Sequence, residues 1–391
     1  MVTYNLLLLF VTLLGFSFCE IKKSKNRDII FLCMVSVAMI VMSSLRADTV
    51  GVDYKPYAEY FQTVCQNDFA FLFSDANIYR TEPGYGVLNY MISLFSHNTY
   101  LFMGVASILI VGLRAIAIYK YSSSIWISMF VFVSFGFFGY SLCTLRQEIA
   151  ISIALFAIKY LQDKKPIPYF LIVILAAMFH KSLWILIPIY FIAHIPLNWK
   201  SLSVYGAGTL FILLFSVPIL NFITQYIFKH YTEDNYFLRG RDFNTAYIPL
   251  ILFLVVMILQ KRILKRNSKN IVLINFICYA GLLFILTLKH FIFQRLALIF
   301  LPAALFLIPE ILNAVDVDES KYEELGQLEI GGKTNKKQLL QKRGKLKSEL
   351  HDAKSMYYAA IGFILFGGFV YQLFLLNANR LLIVPYVTFF N

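Results

Sequence analysis

Apolar runs of membrane-spanning length, separated by short charged or turn-forming stretches, recur along most of this chain. They predict about twelve crossings, at 4–19, 28–45, 99–119, 124–143, 146–162, 167–180, 183–196, 202–222, 246–260, 271–288, 292–312 and 356–376. The expected fold is all-α: a polytopic transmembrane helix bundle forming one domain over 1–391. An outer loop at 46–98 and a cytoplasmic loop at 313–355 interrupt it. Residues 85–96 are too short to span and set Asn89 and Ser93 on one face, which predicts an interfacial helix on the outer side.

Charge gives the orientation. Basic residues cluster at 21–27, 163–165, 261–269 and 313–355, and such loops mark the cytoplasmic side. Residues 4–19 lack the basic n-region of a signal peptide, and Lys22, Lys23, Lys25 and Arg27 follow them instead. They read as a retained first span. An even number of crossings then puts both termini outside, with 46–82, 223–245 and the C-terminal tail. Within 313–355, Lys333 to Asp352 reads as a solvated helix or arm, connecting or regulatory rather than catalytic.

Composition agrees with this class. Of 391 residues, 59% are hydrophobic and 15% charged, with 38 Phe and 25 Tyr. The mean hydropathy is +0.68. Soluble domains carry about 25% charged residues. A formal charge of +13 would suggest nucleic acid in a soluble protein; here it sits beside spans and sets topology, so no nucleic-acid partner is expected. Five cysteines show no metal-ligand spacing and imply no disulfide framework.

Against this hydrocarbon background stand Thr144-Leu145-Arg146-Gln147-Glu148 and Phe179-His180-Lys181-Ser182. Ionisable groups at membrane depth are costly and tend to line functional cavities. From Lys165 at the cytoplasmic surface a helix climbs roughly 22 Å to His180, short of the roughly 30 Å hydrocarbon core. The two short spans therefore predict broken or re-entrant helices lining an outward cavity. Arg146 falls near the outer rim of the same helices, and Thr144 with Gln147 forms a plausible capping box for the helix it opens. An Arg in the first turn suits phosphate. Lys289, His290 and Arg295 form a third outer group, Arg295 being the stronger candidate. Arg114, near the cytoplasmic end of its span, reads as a snorkelling residue, and Ser182 as a helix cap.

At these residues the sequence resembles the EpsG family of membrane polysaccharide polymerases, related in role to Wzy-type O-antigen and capsule polymerases. Three stretches carry the likeness: Leu45-Arg46 with Val50 to Tyr54 and Tyr57; Glu82-Pro83-Gly84-Tyr85 into Leu88-Asn89; and Leu145-Arg146-Gln147 through Lys164-Lys165 to Phe179-His180-Lys181-Ser182. Glu148 departs from the family, whose residue there is commonly small or apolar, and 313–355 has no counterpart.

The resemblance implies an enzyme at the outer face of a bacterial cytoplasmic (inner) membrane. It would join oligosaccharide repeat units carried on undecaprenyl diphosphate, the lipid diphosphate being the leaving group. On that reading Arg146 and Arg295 meet the departing diphosphate, supported by Lys181. The general base is His180 or a carboxylate, Asp53 or Glu82; a neutral His180 serves equally as a diphosphate donor. Arg46, Tyr54 and Tyr85 position sugars or the outer loop, and Gln147, Glu148 and His290 complete the binding set. No Asp-x-Asp motif stands in an outer loop, so no metal and no cofactor are expected. Besides the lipid-linked glycan, expected partners are membrane lipids, a chain-length regulator and a flippase. A lipid-linked oligosaccharide flippase or transporter, a membrane acyltransferase and a non-enzymatic scaffold are the competing classes. A transporter should show internal repeats, and none is visible between the halves.

Overall fold

A computed structural model describes residues 1–21, 24–226, 247–315 and 336–390. Backbone groups in lipid must be satisfied within the segment, so long apolar runs fold as helices. The described residues are helical apart from turns and one isolated antiparallel bridge, Arg46 to Thr388. In order the helices are α1 (Val2–Gly15), α2 (Lys25–Ser44), α3 (Tyr54–Cys65), α4 (Pro83–Ser93), α5 (Thr99–Tyr121), α6 (Ile125–Ser134), α7 (Phe137–Cys143) and α8 (Leu145–Gln162). There follow α9 (Pro166–Ala177), α10 (Leu186–Ile192), α11 (Trp199–Tyr226), α12 (Tyr247–Arg266), α13 (Ile271–Leu286), α14 (Ile292–Phe300), α15 (Ala304–Val315) and α16 (Lys336–Ala378).

Seven stretches among the described residues are long and apolar enough to cross a membrane: Val2–Glu20, Lys25–Ser44, Thr99–Tyr121, Tyr247–Arg266, Ser268–Leu286, Ile292–Val315 and Lys342–Ala378. The pair α6–α7, bent by 57°, makes an eighth if it is one span. The remaining expected crossings fall on α8, α9, the Lys181–Ile192 stretch and α11. Of these, α8 carries Arg146, Glu148 and Lys159 and is buried on nearly every side, packed against α9 and α5. It is an internal helix rather than a lipid-facing one. The α6–α7 bend sits at Gly136, whose φ of +80° lies in the left-handed region that a side chain disfavours.

Two ends of the bundle differ in chemistry. At one, Tyr4 Oη donates to the Ile383 carbonyl (3.0 Å) and Gln372 Nε2 to the Tyr4 carbonyl (2.9 Å). There Ala47 N also donates to Val387 O (2.9 Å) and Phe389 N to Leu45 O (3.1 Å). Residues near both chain ends therefore share one end of the bundle with the start of the 46–98 segment. At the other, Trp126 Nε1 donates to Glu20 (3.1 Å) and Lys269 pairs with Asp163 at 2.6 Å. The basic loops at 163–165 and 267–269 lie together there.

The outer segment is more ordered than its loop-like sequence suggests. In α3 the buried Tyr57, Tyr60, Phe61 and Val64 follow helical spacing. They pack with Tyr85 of α4 and Phe102 of α5 in an aromatic cluster: Tyr60 stacks on Tyr85 at 5.6 Å and Phe61 on Phe102 at 4.8 Å. The expected interfacial helix is α4, but its polar face turns inward: Asn89 and Ser93 are buried, and Asn89 donates to Tyr85 O at 2.8 Å. The last helix runs unbroken from Lys336 to Ala378, so the expected arm to Asp352 is continuous with the final span where described. The expected features at 22–23, most of 223–245, 316–335 and Asn391 lie outside the described residues.

Candidate functional site

Arg146 opens α8 immediately after a backbone break at Thr144 (φ −94°, ψ 56°), so its side chain leaves the helix at the end bearing the chain termini. It forms an ion pair with Glu82, which is 1% exposed at the entry to α4. Three tyrosine rings surround the guanidinium: Tyr79 at 3.8 Å, Tyr57 at 5.8 Å and Tyr85 at 5.9 Å from its carbon. Cation–π contacts of this kind hold a positive charge without neutralising it. Arg146 Nε has no hydrogen-bond partner.

Glu82 is the hub. Its second oxygen accepts from Lys181 N at 3.1 Å, which fastens the turn between α9 and α10 to the start of α4. Gly84 N and Tyr85 N both donate to Met178 O, at 2.9 and 3.4 Å. That approach favours glycine, because a Cβ at Gly84 would lie 3.0 Å from Met178 Cβ and 3.1 Å from both Met178 O and Phe179. Two of the three resemblance motifs therefore dock on each other.

In the same turn His180 is buried, and its Nδ1 accepts from Ser182 N (3.3 Å) and lies 2.6 Å from Ser182 Oγ. The roles differ from expectation: His180 caps the turn, and Ser182 is what it caps. An Nδ1 that accepts leaves the proton on Nε2. Burial, then Arg146, Arg295 and Lys181 in turn, hold the imidazole well below its ordinary pKa, so it is neutral.

Asp53 (φ −101°) stands at the N-cap position of α3 without a side-chain cap bond, just after Gly51, whose φ is +104°. Burial pushes its carboxyl up, opposed by Arg295 and Arg146. Gln147 does not cap α8 as the spacing suggests; its Nε2 donates to the Arg295 carbonyl at 2.5 Å and ties α8 to α14. Asp53 and Arg295 share the wall of a cavity of about 530 Å³ with Thr144, Tyr140 and Gln294. Thus Asp53, Glu82, Arg146, Gln147, His180, Lys181 and Arg295 come together from five separate segments.

Glu148, Arg46 and Tyr54 do not join them. Glu148, about 200° around α8 from Arg146, pairs with Arg114 instead. Arg114 does not snorkel: it is fully buried, donates to Ser152 Oγ at 3.1 Å and lies 5.0 Å from the Phe132 ring. Arg46 is buried beneath the C-terminal tail, bonded to Ser43 and 5.4 Å from the Tyr54 ring. Tyr54 belongs with it. Lys289 donates to Leu213 O at 2.7 Å, at the kink of α11. His290 is buried 6.4 Å from the Phe293 ring. Tyr85 belongs to the site as an aromatic wall. Tyr79 was missed; a lone Tyr in an aromatic loop carries no spacing signal.

Fold and site together define a multi-pass helical membrane protein with a buried, predominantly cationic centre at one end of its bundle. The chain belongs to the EpsG family, whose profile matches residues 29–322 and so includes every motif of the site. This is a family of Wzy-like polysaccharide polymerases and glycosyltransferases, which suggests a membrane polysaccharide polymerase. No curated protein and no solved structure matches the chain.

Proposed function

We propose that the protein joins glycan repeat units carried on undecaprenyl diphosphate, working at the outer face of a bacterial cytoplasmic membrane. The observation that carries this reading is the convergence of Arg146, Arg295 and Lys181 around a neutral His180, beside a cavity that also exposes Asp53. The acceptor hydroxyl gives its proton to Asp53, and its oxygen attacks the anomeric carbon of the donor sugar. The bond from that carbon to the diphosphate breaks, and the electron pair leaves with the phosphate oxygen. Arg146 and Arg295 meet the charge that builds there, in a site where it is poorly screened.

His180, protonated on Nε2, is the hydrogen-bond donor rather than the base. Its Nδ1 is already occupied by Ser182. Glu82 holds Arg146 and the Lys181 backbone in place and is a positioning residue. We assign the counter-charge on the departing diphosphate to arginine. A chain-length regulator and a flippase are the partners this role calls for.

The test is purified protein in lipid nanodiscs with a lipid-linked repeat unit. Glycans longer than one unit, lost in Asp53→Asn and Arg146→Ala and retained with EDTA present, are expected. Transport of the unit without chain growth would replace this reading with a flippase, and dependence on a divalent cation would remove the arginine assignment.

A further inference from the structure

The cavity beside Asp53 and Arg295 has a wall that the reaction described above does not use. It is supplied by the end of α16 and the tail after it, from Gln372 to Ile383, and all of it lies beyond residue 322, where the family match ends. The tail is built into the protein. Asn379 (φ +43°) accepts from Ile383 N and Val384 N, both at 3.0 Å, and donates to Val384 O at 2.6 Å, closing a tight loop. Leu382 O and Leu381 O accept from Gly51 N and Val52 N at 3.0 Å each, and Cys143 Sγ donates to Leu381 O at 3.3 Å. These bonds fix the backbone immediately before Asp53.

The lining is divided. Phe138, Phe291, Leu298, Leu375 and Leu381 make much of it apolar, while Asp53, Arg295 and Arg380 stand among its polar members. The cavity also lies where a membrane-crossing helix ends, at Ala378, and exposed tail residues begin. A volume of about 530 Å³ is within the range of small-ligand sites. Hydrocarbon beside two cations, at the end of a span, fits an amphiphile with its phosphates toward Arg295 and its chain along α16.

We propose that this cavity seats the first part of the prenyl chain of the lipid diphosphate, with Arg380 as a further phosphate-binding residue. The proposal rests on the polymerase reading for the identity of the lipid. Arg380 lies outside the reacting centre and acts on affinity, while Arg146 acts on the bond that breaks.

The full-length protein in neutral-lipid nanodiscs tests this by direct binding of farnesyl diphosphate, farnesol and inorganic pyrophosphate. Farnesyl diphosphate is expected to bind more tightly than either fragment. Ala378→Trp, which adds bulk at the cavity wall, removes the advantage of the chain and leaves pyrophosphate binding unchanged. Arg380→Gln weakens farnesyl diphosphate about tenfold, the loss of one charge-assisted hydrogen bond, and leaves farnesol unchanged. Unaltered unfolding temperatures show that both variants are folded. Phosphatidylglycerol displacing farnesyl diphosphate at equal concentration, or both variants binding like the parent, overturns the proposal. The two readings separate cleanly. Binding that responds as stated without chain growth refutes the polymerase and keeps the seat. Chain growth abolished by Arg146→Ala but untouched by both cavity variants refutes the seat and keeps the polymerase.

Discussion

Glu148→Gln distinguishes a structural ion pair from a substrate contact. Glu148 and Arg114 are 3% and 0% exposed at their side chains. Apart from the carboxylate, the guanidinium has Ser152 Oγ and the Phe132 ring, and its Nη1 already lacks a partner. Removing one member of such a pair leaves an uncompensated buried charge and costs about 3–5 kcal/mol. Replacing both by apolar residues removes that charge, so Arg114→Leu with Glu148→Leu is expected to lie close to the parent. A double-mutant cycle measured by unfolding in nanodiscs should therefore show strong coupling, with each single variant worse than the pair. Glycan synthesis per folded molecule should survive in the double variant, because neither side chain reaches the Arg146 centre. A Glu148→Gln protein with parental stability and lost turnover would refute this reasoning and return Glu148 to the substrate.

Four further outcomes follow from the site. Gly84→Ala should cost about 1–3 kcal/mol by overpacking and lower turnover, because the new Cβ meets Met178 and Phe179; unchanged melting and synthesis would count against the docked motifs. His180→Asn can keep an acceptor for Ser182 N while losing Nε2–H, so it should fold and fail in synthesis, whereas an active variant would exclude His180 from the diphosphate. The folded state holds His180 below its ordinary pKa, so the unfolded chain binds more protons as pH falls through about 6.5. Stability is lost in that direction, and the loss should shrink in His180→Asn. Burial raises the Asp53 carboxyl, so synthesis should fall on acidification above the usual carboxylate range; an ordinary carboxylate midpoint would argue for another base.

Much of the site was readable before the structure because charge is rare in this chain. Arg146, His180 and Lys181 stand out in apolar sequence, and the shortness of 167–180 exposed the broken geometry that α9 and its turn display. What stayed hidden was direction. Glu148 and Arg146 are two positions apart, and only the packing of α5 against α8 shows that they face opposite ways. Arg114 looked like a surface snorkel because its partner is 34 residues away. Gln147 offered a local cap and makes a bond 148 residues distant instead. Against about twelve expected crossings, the described residues hold seven stretches long and apolar enough to cross, eight with α6–α7, and α8, though apolar, is surrounded by protein.

Initial rates of glycan chain growth for the parent, Arg146→Lys and Glu82→Gln test the central claim most directly. Lysine keeps the charge and loses the planar fork, and Glu82→Gln unfastens that fork from the 178–182 turn. Both are predicted to fall about 10²-fold or more with lipid-diphosphate binding still measurable. Parental rates in either folded variant would contradict the account.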